Sequence, residues 1–550
     1  MPRFVTTTPN KKHLVSSHLP SYTGGYKTLV MEYSKTPYFH VADARDLTGS
    51  DRGLYRLLEM IPGGLAWGTL LGIVALSTWN PKLAAYFIIM FDLYWLLKTF
   101  YLSMHHRYNW KRLRHNMTVD WGEKLAQLKS EHIHHLVLLP FYQEGEELVD
   151  ESLKSFLDAK YDNDKLIMVL AAEARAGEEA QELAQKMYEK YSPHFKHFIV
   201  TSHPDGLAGE IRGKGPNISY AAEEARQRVL DPAGIPYEDV IVSAFDIDTV
   251  IRDQYFNCLT WYYLTDEDPQ RASFQPVPLY NNNIWHAPAI SRVSAMSSTF
   301  WQMIQQERTE KLTTFSSHAV SFAALQKVGY WQKNVISDDS RIFWNMYLAH
   351  NGNYRVVPIS YPVSMDANLA PTVWGTMKNI YKQHRRWMWG VENIPYMMFG
   401  FIKNKKIALR DKIRHSVIQI EGFWSLATNP LFILLLGWLP LVLGGDAFRD
   451  TVLSYNLPLI TRNLMIAAMA GLILSAIIAF TLIPPLPDDM QKRKKWHYTK
   501  MALQWILVPF TIVVFGAFPG LDAQTRLLFG RYMGAFWVTP KHRKESGVNT

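Results

Sequence analysis

The chain has 550 residues, too many for one ordinary domain of about 100–200 residues, so two or more units are expected. Hydrophobic residues make up 48% and charged residues 19%, which excludes global disorder. Lys and Arg number 58 against 49 Asp and Glu, a net charge of +9 that suits nucleic acid, anionic lipid or a phosphorylated ligand, and its placement has to decide among them. The single cysteine, Cys258, excludes an intrachain disulfide and a cysteine-based zinc cluster, and so favours a cytosolic body.

The opening residues, Met1 to Thr6, carry no apolar stretch with a small-residue cleavage site, so no removable secretory signal is expected. Two apolar runs follow, Leu57 to Ser77 and Leu83 to Met104, each near the roughly 20 residues that cross a bilayer as a helix. The short link Trp79-Asn80-Pro81-Lys82 makes them a hairpin. Three more runs close the chain, at Phe423–Gly445, Leu464–Pro485 and Ala502–Phe518. Five runs clustered at both ends point to an integral membrane protein.

Basic residues fix the expected orientation, because Lys- and Arg-rich loops stay cytoplasmic. They cluster at His105–Arg114, at Lys403–Arg414 and at Lys492–Lys495, whereas the Asp446–Asn456 loop is slightly acidic. Charge at bilayer edges favours lipid headgroups over nucleic acid, and no base-reading motif appears. Five crossings would leave the basic Lys541–Lys544 tail outside, unless the fifth run is re-entrant or Arg526–Val538 returns across or along the membrane. Asp92 and Lys98, inside the second run, either face protein or a pore, or snorkel to an interface.

Between the apolar ends the pattern alternates. Strands are expected at Ile133–Pro140, Lys165–Ala171, Phe195–Ser202 and Val240–Phe245, with helices at Glu144–Leu157, Glu178–Tyr191 and Ile218–Val229. That alternation implies a parallel sheet with ligands beyond the carboxyl ends of its strands. After the fourth strand stands Asp246-Ile247-Asp248, a carboxylate pair suited to Mg²⁺ or Mn²⁺ shared with substrate phosphates, or simply a solvated acidic turn. Gly213-Lys214-Gly215-Pro216-Asn217 precedes a helix and can hold a phosphoanhydride. Ser337-Asp338-Asp339-Ser340 opens a helical stretch, Arg341–Ala349, where either carboxylate could act as a cap. Gln383-His384-Arg385-Arg386-Trp387-Met388-Trp389 joins cations, an amide and indoles on an amphipathic helix near the membrane, which alone reads equally as an interfacial anchor.

Taken in order with Pro140-Phe141-Tyr142-Gln143-Glu144, these motifs resemble those of membrane-embedded family 2 glycosyltransferases, the group that includes cellulose, chitin and hyaluronan synthases. The resemblance covers about residues 133–390. It implies an α/β GT-A domain inserted between N-terminal and C-terminal transmembrane helices, a nucleotide-sugar donor of the UDP-sugar kind, a Mg²⁺ or Mn²⁺ cofactor and inversion at the anomeric carbon. On that resemblance Asp339 is the general base, Asp248 the main metal ligand and Asp246 a second ligand or ribose contact. Glu144, Glu173, Lys214, Asn217, Gln383 and Arg386 lie on the donor side, while Ser317, His318 and Trp387 lie on the acceptor side. Leu170-Ala171-Ala172-Glu173 departs from the usual acidic pair, leaving Glu173 alone near the nucleobase.

The division implied is a cytosolic tail over 1–52, a hairpin over 53–104, the GT-A domain over 105–400, membrane helices over 401–520, and an amphipathic segment with a tail over 521–550. The resemblance further implies a bacterial-type cytoplasmic membrane with the catalytic domain on its cytoplasmic side. The acceptor is a saccharide, extended processively, or a lipid-linked hydroxyl; Trp387 and Trp389 would stack on sugar rings near an exit. A transporter is the alternative from another class, but it predicts a small soluble part, against about three hundred residues here.

Overall fold

The computed structural model describes residues 38–541. Eight strands form one sheet: β1 (His134–Phe141), β2 (Leu166–Glu173), β3 (His197–His203), β4 (Val240–Ala244), β5 (Val250–Ile251), β6 (Ala272–Tyr280), β7 (Ala319–Ser321) and β8 (Arg355–Met365). Their order is β3-β2-β1-β4-β7-β6-β8-β5. β1 to β4 are mutually parallel as expected. The sheet as a whole is mixed, however, because β7 runs antiparallel to both β4 and β6, and β5 antiparallel to β8. β5 and β7 span only two and three residues, too short for a periodic signal in the sequence.

The parallel strands read as nearly continuous apolar runs because helices cover both faces. Along β1 the side chains alternate: Leu136 and Leu138 join a core under the helices Lys214–Ala225 and Asp338–Ala349. Val137 and Leu139 join the opposite core, under Glu146–Leu157, Glu178–Tyr191 and Tyr255–Thr265. The register pairs Leu138 of β1 with Ala244 of β4, so Asp246 and Asp248 emerge just beyond the sheet's edge.

Among the described residues four helical runs are long and apolar enough to cross a membrane: Gly49–Trp79, Pro81–Asn116, Leu409–Leu434 and Asp488–Leu528. They flank the α/β body in sequence. The first two form the expected hairpin, with Asn80 accepting from the Leu83 amide and Pro81 opening the second helix. The third starts well before Phe423 and ends at Leu434, short of the expected Gly445, with short helical pieces continuing to Leu443. The Leu464–Pro485 run belongs to the helix Val452–Leu482. Asp92 is buried and so faces protein, while Lys98 pairs with Glu421 of a neighbouring helix at 2.5 Å.

The last run lies along the α/β body. Arg292 Nε donates to Gln504 Oε1 at 2.6 Å, His384 Nδ1 lies 2.6 Å from the Phe515 carbonyl, and Arg385 pairs with Asp522 at 3.3 Å. Beyond it Gly530 turns the chain with φ +66°, and the following extended segment crosses the sheet's edge to Lys541, whose ammonium meets Asp248. Lys541, which opens the basic stretch, therefore reaches the α/β body. His542, Arg543 and Lys544 lie outside the described residues.

Candidate functional site

Three separate segments meet at the C-terminal edge of the parallel strands. The turn after β4 closes with the Thr249 amide on the Asp246 carbonyl at 2.9 Å. Lys214 begins the helix behind Gly213, and Asp338 and Asp339 occupy the first turn of the helix Asp338–Ala349. Gly215 permits their approach, since a Cβ there would lie 3.0 Å from the Asp338 Cβ and 3.1 Å from the Gln332 carbonyl. Lys214 Nζ then donates to Asp246 Oδ1 at 2.7 Å and to Asp339 Oδ1 at 3.0 Å.

The electrostatics follow from burial and pairing. Burial alone would depress the Lys214 ammonium, but Asp246, Asp339 and Asp338 outweigh it and hold the group firmly charged. Burial opposes ionisation of Asp246, yet Lys214 and Lys541 hold its carboxyl well below the usual range. Burial first, and then the neighbouring Asp339, push the Asp338 carboxyl upward. Asp338 is the buried member of the pair, with Oδ2 unpartnered, whereas the Asp339 side chain remains about a quarter exposed. Of the two, Asp339 is the one open to an incoming group.

Asp248 is buried; its Oδ2 accepts from the Asp366 amide at 3.1 Å and from Lys541, and its Oδ1 is unpartnered. Among the described residues no three His, Cys, Asp or Glu side chains gather as a preformed metal cage. The donor set still fits a hard divalent ion. Mg²⁺ and Mn²⁺ are commonly held by one or two carboxylates, with substrate phosphates and water completing the shell, and Asp248 presents a buried oxygen that nothing else satisfies.

The remaining candidates divide. Arg386 is half-buried with its guanidinium 4.1 Å from the Phe536 ring and its Nε unpartnered; burial lowers its pKa against the pull of Asp246, Asp338 and Asp339. Trp387 is half-buried beside Tyr280, ring centroids 6.0 Å apart, and stacks on His384 at 4.8 Å. Gln383 lies one turn earlier on the same helix, Val373–Met388. Glu144 folds back to accept from the Tyr142 and Gln143 amides at 2.8 and 3.1 Å, shaping the loop after β1. Glu173 pairs with Arg175 at 2.5 Å, and the Arg175 guanidinium lies 4.4 Å from the Tyr142 ring. Asn217 donates to the Ala171 carbonyl at 2.7 Å, with its Oδ1 buried and unpartnered.

Ser317 and His318 are fully buried. The Ser317 amide donates to the Ala244 carbonyl at 3.1 Å, and its φ is +67°. Trp331 Nε1 donates to His318 Nε2 at 3.1 Å, which leaves the proton on Nδ1, 2.7 Å from the Phe315 carbonyl and 3.7 Å from Asp339. Burial lowers the His318 pKa, so the neutral ring persists. Both residues thus sit behind Asp246 and Asp339 rather than on an open acceptor face. Trp389 is 1% exposed and donates to Glu392 at 2.7 Å; it belongs to the core, and the expected sugar-stacking surface reduces to Trp387.

Sequence reasoning missed Lys541 and Phe536 as parts of the site. Phe536 packs so closely that a Cβ on Gly213 would lie 2.9 Å from its own Cβ, and its amide donates to the Arg212 carbonyl at 3.3 Å. The available signal was the basic tail, which read as a problem of topology rather than as a partner for the acidic turn.

A mixed sheet of this order, with acidic side chains at the ends of its parallel strands and apolar helices on either side in sequence, is a GT-A-like glycosyltransferase architecture. The family model described as glycosyl transferase family group 2 matches residues 241–519, just over half the chain, and the chain belongs to that family. Among solved structures, it is similar to a mannosyltransferase from Pyrobaculum calidifontis in complex with GDP-Man and Mn²⁺, at 15% identity and a TM-score of 0.39, over 70% of this chain and 99% of that one. Staphylococcus aureus TarS 1–349 matches at 12% identity and 0.33, over 69% and 91%. Its complex with UDP-GlcNAc matches at 10% and 0.34, over the same shares. No curated protein sequence matches the chain.

Proposed function

We propose that the protein is a membrane glycosyltransferase that moves a sugar from a nucleotide-diphospho-sugar, of the UDP-sugar kind, to a hydroxyl of a saccharide acceptor with inversion. The observation that carries this reading is Lys214, buried between Asp246 of one segment and Asp339 of another. A neutral hydroxyl is a poor nucleophile near pH 7, so a positioned carboxylate has to take its proton as it attacks C1 from the face opposite the diphosphate. Asp339, partly open and backed by neutral His318, takes that role. Lys214 keeps its own proton and so serves as a fixed positive charge beside the base.

Charge grows on the departing diphosphate, and Lys214 and Arg386 lie where fixed cations would offset it without reorganisation. Asp248, with Asp246, would hold a divalent ion, which supplies further electrostatic stabilisation of that leaving group. Trp387 and Tyr280 offer an aromatic wall for the acceptor sugar. On this reading the apolar helices span the bilayer and the α/β body faces the cytoplasm.

Thermal unfolding of the purified chain with a panel of nucleotide sugars, with and without Mn²⁺, tests the donor, because ligands that bind the native state raise its apparent stability. A metal-dependent shift with one sugar nucleotide is expected; no shift with any would overturn the reading. Gel filtration of the products then separates a polymer from single addition to a lipid-linked acceptor.

A further inference from the structure

A second cluster of charge lies away from the sheet's edge, where the α/β body meets two of the apolar helices. Glu421, on Leu409–Leu434, pairs with Lys98 of Pro81–Asn116 at 2.5 Å and with Lys311 at 3.5 Å, and accepts from the Tyr94 hydroxyl at 3.3 Å. Lys311 follows the helix Ala289–Gln306 in a tight turn, its amide donating to the Arg308 carbonyl at 2.8 Å. Arg308 is 6% exposed, and its Nε has no hydrogen-bond partner; its nearest carboxylate, Glu310, is 3.8 Å away. Its guanidinium lies 5.7 Å from the Tyr101 ring. Three cations therefore share two carboxylates, one of which is only loosely engaged, and a buried guanidinium nitrogen is left unsatisfied.

An uncompensated cation at such a place is costly without an anion. Burial, with Arg308 and Lys98 adding to it and Glu421 opposing, lowers the Lys311 pKa, as a site short of negative charge requires. The neighbouring surface supplies the rest of the chemistry. Tyr94, Leu97 and Tyr101 are exposed on the same stretch of apolar helix, and Lys98 Nζ lies 5.5 and 5.3 Å from the Tyr94 and Trp95 rings, which is the aromatic and cationic setting of a bilayer interface.

We propose that Lys98, Arg308 and Lys311 form a binding site for the phosphate of an anionic phospholipid headgroup, with Glu421 as the carboxylate that tempers it. The proposal rests on the membrane reading above. It also bears on the reaction, because the segment after Lys311 runs straight to Phe315, whose amide donates to Gln275 at 2.8 Å, and on to His318 behind Asp339. An occupied headgroup site would steady that segment from the bilayer side.

The test is thermal unfolding of the full chain in neutral detergent, titrated with short-chain phosphatidylglycerol, short-chain phosphatidylcholine or inorganic phosphate. Phosphatidylglycerol should raise the midpoint saturably and phosphatidylcholine should not; equal shifts would overturn the site. Inorganic phosphate matching phosphatidylglycerol at equal concentration would assign the site to free phosphate and overturn the lipid. Lys311→Gln should weaken the phosphatidylglycerol response about fivefold, the worth of one lysine near an anionic surface. Glu421→Gln, which removes negative charge, should strengthen it; a weaker response would contradict the charge argument. Lys196→Gln removes an exposed lysine of the α/β body, just before β3, and should leave the response unchanged, whereas a loss equal to that of Lys311→Gln would reduce the effect to diffuse surface charge. The nucleotide-sugar shift, read on the same samples, reports the transferase reading separately, and detergent-phase partition reports the membrane reading.

Discussion

Lys214 Nζ stands 3.0 Å from Asp339 Oδ1 across 125 residues of sequence, and the same ammonium holds Asp246. Replacing it with methionine keeps the length and removes the charge. Lys214→Met should cost about 1–3 kcal/mol of stability, a buried-pair loss discounted for the partly exposed carboxylates, and should abolish the donor-dependent thermal shift. Denaturant unfolding with and without the nucleotide sugar measures both.

Asp339→Asn preserves the shape and deletes the basicity. Transfer should fall about 10²–10⁴-fold while donor binding persists, since removal of acid-base assistance typically costs that much. Single-turnover transfer beside a donor-binding isotherm reads the two quantities; near-native transfer would exclude Asp339 as the base.

Asp338 makes a pH-dependent contribution of definite sign. Burial and the adjacent Asp339 push its carboxyl up to about 8, from an unperturbed value of about 3.9. The folded chain thus binds this proton more tightly than the unfolded chain. The stability it lends is full below about pH 4 and is lost as pH rises through about 8. Asp338→Asn cannot ionise, so its unfolding midpoint should fall less than that of the native protein between neutral and mildly alkaline pH. Parallel slopes would show that Asp338 is already ionised at neutral pH.

Lys541 and a divalent ion would compete for the Asp248 carboxylate. Lys541→Met should therefore tighten donor-free Mn²⁺ binding, by about fivefold if the ion pair is worth about 1 kcal/mol. Calorimetric titration would detect it, and weaker binding would mean that the lysine assists rather than opposes the ion.

Gly63 lets the first apolar helix rest on the last, since a Cβ there would lie 2.6 Å from the Gln524 carbonyl and 2.7 Å from the Leu528 Cβ. Backbone cannot yield as a side chain can. Gly63→Ala should destabilise by about 1–3 kcal/mol, the usual cost of overpacking, whereas Gly64→Ala, which meets nothing within 4 Å, should not. Unfolding midpoints of the two variants make the comparison.

The parallel half of the sheet was legible because buried strands such as β2 leave unbroken apolar runs, and the helices after them keep a clear period. The antiparallel strands were not, because β7 is three residues long and owes its place to β4 and β6 on either side. Which side chains would gather was legible wherever charge stood beside a strand or helix end, as at Asp246, Asp339 and Lys214. Burial decided what pattern could not. His318 and Trp389 carry the right chemistry for a sugar surface, but Trp331 and Glu392 claim their ring nitrogens. Lys541 was invisible as a site residue because only the folded path of the final helical run brings it to Asp248.

The clasp between the two ends of the chain has a consequence for biogenesis. Glu59, in the first long helix, is fully buried and accepts from Arg56, from the Ala44 amide and, at 2.7 Å, from the Tyr532 hydroxyl 473 residues later; Arg56 in turn donates to the Leu527 and Leu528 carbonyls that end the final helix. The helix Gly49–Trp79 thus carries an acid whose phenol partner is translated 473 residues later. Until Tyr532 is made, that helix must wait with its acid unsealed, so a nascent product cut short before it is left with an open seam at Glu59.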